Sequence, residues 1–131
     1  MSAFSNYSEE KIVEHFLRNN AVASPVTVYM ALFESDPGED NSGTETAYAN
    51  YARQVATWTS LDASGQTQNS NVITFAANGN ASAAIALTHA ALYDAATNGN
   101  LILKGALSTP KTLQVGDVLS FSINAISLTI N

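Results

Sequence analysis

His89 and Asp94, a few residues apart, are the nearest approach this sequence makes to an acid–base pair. Joined by one of the chain's many serines, they would supply the nucleophile, base and orienting acid of acyl transfer. The serine for that role would stand in a Gly-x-Ser-x-Gly turn, and the sequence has none. His89 instead shares the parity of Ile85, Leu87, Ala91 and Tyr93 in an alternating run, which puts it in or beside a packed face. His15 falls within a helical pattern, opposite part of its apolar side, and is expected to be solvated.

Metal chemistry fares no better. The loop Asp36-Pro37-Gly38-Glu39-Asp40-Asn41-Ser42-Gly43-Thr44-Glu45 is rich in the oxygens a hard cation wants. Its acids, glycines and closing glutamate fall out of register with a calcium loop, and Asp94 to Gly99 fails through an alanine at its third position. A solvated acidic loop is the plainer reading. Cysteine is absent, so no thiolate cage and no disulfide framework can form. Trp58 could stack on a sugar, but a lone tryptophan in an alternating run belongs more often to a core. Asp117, after Gly116, reads as an acceptor of turn hydrogen bonds. No Gly-rich phosphate loop exists. The residues assemble no catalytic, cofactor or metal site.

The elements that would have to position such groups are those of one small domain of 131 residues. Hydrophobic residues make up 46% and charged residues 12%, about half the charge usual in soluble domains. Alanine, serine, threonine and asparagine stand where lysine and glutamate normally do. Such a surface can approach another protein without stripping water from many ions. The net charge of −6, with Lys11, Arg18, Arg53, Lys104 and Lys111 scattered, disfavours nucleic acid as a partner. No apolar run approaches the ~20 residues of a membrane helix. The opening residues lack the basic and apolar parts of a signal peptide, which predicts a protein made and soluble in a cytoplasm.

One helix is expected, over residues 8–19. Ser8 suits its N-cap, Glu9 and Glu10 its first turn, and Glu14 and Arg18 pair at i,i+4. Ile12, Val13, Phe16 and Leu17 recur on one face, which needs a surface to lie on, in the domain's own sheet or in a neighbour. The remainder reads as about seven strands: Val26 to Phe33, Tyr51 to Thr59, Val72 to Phe75, Ile85 to Tyr93, Leu101 to Leu107, Val118 to Ile123 and Ile126 to Ile130. Loops fall at Asp36-Pro37-Gly38, Ser64-Gly65, Asn78-Gly79-Asn80, Asn98-Gly99-Asn100 and Pro110 through Asp117. The fold predicted is mainly β, an antiparallel sandwich with a short N-terminal helix, over a single domain spanning 1–131. Val28, Met30, Leu32, Phe75, Leu87, Phe121 and Ile123 should form its core.

The order of these segments resembles a known family. Val26-Thr27-Val28-Tyr29-Met30-Ala31-Leu32-Phe33 before an acidic Asp-Pro loop is followed by Tyr51-Ala52-Arg53-Gln54-Val55, Thr57-Trp58 and Asn69-Ser70. Then come Thr88-His89-Ala90-Ala91-Leu92-Tyr93-Asp94-Ala95-Ala96-Thr97, Gly105-Ala106-Leu107 and Val115-Gly116-Asp117-Val118-Leu119-Ser120-Phe121. The series is similar to small bacteriophage virion proteins often labelled tail fibre protein, akin in style to head decoration or cement proteins. Ala52-Arg53-Gln54 and the His89-x-x-Leu92-Tyr93-Asp94-Ala95 segment are its most specific pieces. Where family members often carry a Trp-Gly pair, this chain has Ala83-Ala84-Ile85-Ala86. The resemblance implies a non-enzymatic virion protein with no cofactor.

Lacking a shaft or repeats, the chain is expected to be a capsid decoration protein bound to major capsid subunits. A tail fibre component is the alternative, and a carbohydrate-binding module a third. A homo-oligomer, dimer or trimer, is expected, with Ile12, Val13, Phe16 and Leu17 as the candidate partner contact.

Overall fold

The computed structural model describes residues 2–130. In chain order these form β1 (Ser2–Phe4), α1 (Asn6–Ile12), a π-helical turn (Val13–Leu17), β2 (Tyr29–Phe33), β3 (Gln54–Val55), β4 (Gln66–Gln68), β5 (Ile73–Thr74), β6 (Ile85–Tyr93), β7 (Leu101–Leu113), β8 (Ser120–Phe121) and β9 (Ser127–Thr129). A five-stranded sheet runs β1-β7-β6-β2-β3, and two ribbons, β4–β9 and β5–β8, pack against it; every pairing is antiparallel. The mainly β, antiparallel sandwich expected from the pattern is therefore present.

Its main core lies between the layers, where Met30, Leu32, Leu87 and Leu92 of the large sheet meet Ile73, Phe75 and Leu119. A second cluster, Ala31, Phe33, Ala91, Tyr93 and Leu101, occupies the opposite face of the same sheet. Strand β2 is consequently buried on both faces, as its unbroken apolar run predicts. Val28 and Phe121 join the main core partly, whereas Ile123, expected inside, is exposed because β8 ends at Phe121.

Strand β6 has the predicted limits but not the predicted face. His89 pairs with Ala106 and Leu87 with Lys111, so Thr88 alone opposes residues 107–110 of β7. This wide bulge turns the strand over. Leu87 before it and Leu92 after it reach the same core, and His89 falls on the face of Phe33 and Tyr93 instead of Leu87's. Pro110, read as the start of a loop, sits inside the bulge, where a missing N–H disrupts no ladder.

Other elements depart from the pattern too: β1 is a strand not foreseen, β7 runs past the expected Leu107 to Leu113, and nine strands form among the described residues instead of about seven. The helix starts earlier than expected, with Ser5 as its N-cap accepting from the Ser8 N–H at 3.1 Å. Ser8 is turned inward, its hydroxyl donating to the Ile102 carbonyl at 2.7 Å, while that of Ser5 donates to the Leu101 carbonyl. Ser5 thus both caps the helix and binds the sheet, whereas Ser8 lies inside the first turn and only binds the sheet. The run Tyr51 to Thr59 is strand only at Gln54–Val55, and Gln66–Gln68, with no apolar alternation, is strand through pairing with Ser127–Thr129.

Candidate functional site

The two most specific segments of the sequence meet on the second face of the large sheet. Arg53, with its side chain 7% exposed, forks onto Glu45 through Nε at 2.9 Å and Nη2 at 2.7 Å. Its Nη1 donates to the carbonyls of Ala95 at 3.0 Å and Asn98 at 2.7 Å. The guanidinium lies 3.6 Å over the Tyr93 ring, which stacks in turn on Phe33. Tyr51 donates its phenol to Glu45 at 2.6 Å and accepts from the Leu32 N–H at 3.0 Å. Tyr93 donates to the Asn41 side chain. Burial opposes the Arg53 charge, but the Glu45 carboxylate outweighs it and holds the guanidinium above its ordinary pKa. Burial, reinforced by Glu45, pushes the Tyr51 phenol far up. Most donors of this cluster are used within the chain, so it welds loops to the sheet.

The candidate chemical residues are dispersed by the fold. Asp94 holds its own hairpin, accepting from the Asn100 backbone at 2.7 Å and side chain at 2.8 Å. That loop passes through Asn98 and Gly99, both at positive φ, as the Asn-Gly pair predicts. His89 lies roughly 15 Å back along the strand, its Nδ1 2.8 Å from the Thr88 hydroxyl. The acidic loop is drawn apart: Asp36 binds Lys104 at 2.7 Å, which with the Gly38 N–H lowers its pKa, while Glu45 turns inward to Arg53. Among the described residues no three His, Asp or Glu side chains converge to hold a metal ion. Asp117 accepts from the Gln114 N–H at 2.9 Å, as expected of a turn. Trp58 and the tyrosines are buried or half-buried, leaving none as an open stacking platform for sugar.

The expected contact residues stand apart from all of this. The turn after α1 widens to π geometry, with the Arg18 N–H bonding the Val13 carbonyl at 3.1 Å and Arg18 pairing Glu14 at 2.7 Å as predicted. Ile12 and Val13 are 41% and 43% exposed, and Phe16 and Leu17 are 75% and 78% exposed. The chain continues through Ala21, Ala23 and a fully exposed Val26 before β2 begins. The domain covers more than half of Ile12 and Val13 and leaves Phe16 and Leu17 largely in solvent, an apolar tip that the helical spacing of its residues made legible.

A second feature was not legible. A cleft of about 830 Å³ opens between the layers over Met30, Ala90, Leu92, Leu103 and Leu107, walled by Trp58, Phe121 and β9. Phe4 and Glu9 line it on the side where the arm departs. The Trp58 indole N–H is the one buried side-chain donor among the described residues without an acceptor. Such a void forms where separately paired ribbons splay from a sheet, a matter of long-range geometry that strand patterns do not encode.

Comparison with known proteins gives one family. The model of the family described as Podophage GP4 fiber I protein gp80 matches residues 3–129, nearly the whole chain. No curated protein sequence matches it.

Proposed function

The chain belongs to the podophage GP4 fiber I protein gp80 family, and from that premise we propose that it is a non-enzymatic fibre subunit of the virion, fixed to a neighbouring virion protein by its apolar arm. The observation that carries this is the ridge Ile12, Val13, Phe16 and Leu17, whose last two side chains stand largely in solvent. Monomers seldom expose a contiguous apolar patch of more than a few hundred Å² unless it is used. Among the described residues, Lys11, Arg18, Arg53 and Lys104 each engage a carboxylate of the chain itself, which leaves little positive charge for a phosphate backbone. No helix among these residues is long and apolar enough to cross a membrane.

Capsid decoration, bound to the major capsid protein, is the second reading, and the compact form without shaft or repeat favours it. Copy number separates the two. Quantitative mass spectrometry of purified particles should give a count matching a set of fibres. A count in the hundreds, as a capsid lattice demands, would move the protein to the head. Either way attachment through an uncharged ridge should withstand molar salt. Loss of the protein at moderate salt would remove the ridge as its anchor.

A further inference from the structure

The chain holds two Asn-Gly pairs, Asn78-Gly79 and Asn98-Gly99, and the fold treats them in opposite ways. Asparagine is chemically labile, most of all before glycine, whose nitrogen can approach the preceding carboxamide carbon with no Cβ in the way. Asn78 is 1% exposed; its amide donates to the carbonyls of Ala83 at 3.1 Å and Leu113 at 3.0 Å, and its oxygen accepts from the Asn80 N–H at 3.0 Å. The Gly79 N–H is spent on the Ala49 carbonyl at 3.0 Å. Asn98 is exposed in the hairpin between β6 and β7, and neither its carboxamide nor the Gly99 N–H bonds to a described residue. Its main-chain carbonyl accepts from Arg53 Nη1 at 2.7 Å.

From this contrast we propose that Asn98 is a site of spontaneous deamidation, directed by Arg53 toward the isoaspartyl product. The inference stands apart from the virion role. The reaction needs only water. The Gly99 nitrogen gives its proton to solvent and attacks Asn98 Cγ. The bond from Cγ to the side-chain nitrogen breaks, and that nitrogen takes up a proton and leaves as ammonia. Water then adds to one of the two carbonyls of the cyclic imide, and the C–N bond at that carbon breaks, its electron pair returning to nitrogen. One water is consumed and one ammonia released. Opening at Cγ leaves an aspartate; opening at the former main-chain carbonyl runs the chain through Cγ and frees an α-carboxylate. Arg53 favours the second course at each stage. Its charge draws electron density from the Asn98–Gly99 peptide unit and so acidifies the Gly99 N–H. It polarises the α-carbonyl toward water and pairs with the α-carboxylate formed there. Glu45 keeps the guanidinium charged and in place. The product adds one negative charge to a chain at −6, on a guanidinium that already binds a carboxylate.

Peptide mapping tests this on the full chain, aged for weeks at neutral pH, folded or in urea. Trypsin, cutting after Arg53 and Lys104, leaves both asparagines on one peptide, and electron-transfer fragmentation separates isoaspartate from aspartate at each. In folded protein Asn98 should convert while Asn78 stays intact, and in urea the two should react alike. The ratio of isoaspartate to aspartate at position 98 should be several-fold higher folded than unfolded. Arg53→Lys should slow the conversion several-fold and return the ratio to its unfolded value, with intact Asn78 certifying the fold. Should Asn78 react in that variant too, the fold has loosened, and the wild-type ratio, folded against unfolded, decides alone. Asn98 intact in folded protein after the unfolded chain has converted would overturn the proposal. So would Asn78 reacting as fast as Asn98 in the folded wild type, or an isomer ratio that folding leaves unchanged.

Discussion

The large sheet is sealed by loops on one face, while on the other the ribbons cover the main core and part from the sheet along a cleft. Over Phe33 and Tyr93 the loops close down, joined by the hydrogen bonds among Arg53, Glu45 and Tyr51, by that of Tyr93 to Asn41, and by Arg53 lying over Tyr93. Over Met30, Ala90 and Leu92 the ribbons part company with β1 and β7 and leave a cleft. The closed face is polar at its seal, the open one apolar at its mouth. This division teaches where to look for each property. A seal whose donors are mostly used stabilises the monomer, whereas exposed apolar surface contributes nothing until something covers it. The most specific motifs of the sequence therefore serve stability, and Phe16 and Leu17 belong to the proposed contact.

Breaking the seal should produce the largest effect. Arg53→Ala leaves the Glu45 carboxylate and two carbonyls without their donor and uncovers Tyr93. Removing one partner of a buried pair costs about 3–5 kcal/mol. Urea unfolding should place this variant near the low end, since Glu45 is a quarter exposed. A loss under 1 kcal/mol would mean the seal is ornamental and the comparison of faces is wrong.

Next in size is an asparagine that ties the ribbons. Asn69 is fully buried; its amide donates to the carbonyls of Asn71 and Ser122, both at 2.8 Å, and its oxygen accepts from the Ile126 N–H at 2.8 Å. Asn69→Ala orphans three backbone groups, each worth about 1 kcal/mol or more when buried, so a loss of about 2–3 kcal/mol is expected.

Much of this fold was legible and the reasons for the rest are physical. Strand β6 was found to the residue because nine positions carry a strong β signal. Its facing was not, because a bulge that sets one residue against four depends on β7, and period-two counting cannot see a partner strand. The helical ridge was legible from spacing, its cap was not, because Ser5 and Ser8 are equally good caps by type and both bond to β7, so only the position of the first helical turn separates them. In the sequence Arg53 is one of five scattered bases and Glu45 the last acid of a loop, and nothing local joins them to each other or to Tyr93.

Alkaline pH offers a finer probe of the seal. The folded state raises the Tyr51 pKa, through burial first and the Glu45 bond second. A raised phenol pKa means that stability is fully present below the unfolded value near 10 and is lost as pH rises above it. In that window the slope from Tyr51 should be about 1.4 kcal/mol per pH unit. Tyr51→Phe should flatten the decline between pH 10 and 11, measured by chemical denaturation. A decline unchanged in that variant would assign it to Tyr48 and Tyr93, whose pKa values burial also raises.

The smallest effect belongs to the arm, and its smallness is the point. Phe16 would cost about 3–5 kcal/mol to truncate in a core, but three quarters of it is in solvent. Its nearest aromatic neighbour is the exposed His15, edge-on at 5.0 Å, which makes no core. In dilute monomer, Phe16→Ser should therefore change unfolding free energy by no more than about 0.5 kcal/mol, the range of ordinary surface positions. The change can even favour the variant, since an exposed apolar ring gains nothing from folding in this position. At high concentration the wild type should gain stability by mass action while Phe16→Ser does not. The concentration dependence of the melting temperature then measures the arm's contribution apart from the sheet's. A destabilisation of several kcal/mol in dilute protein would show that the ridge packs against its own domain, and would return it to the fold from which the comparison of faces removes it.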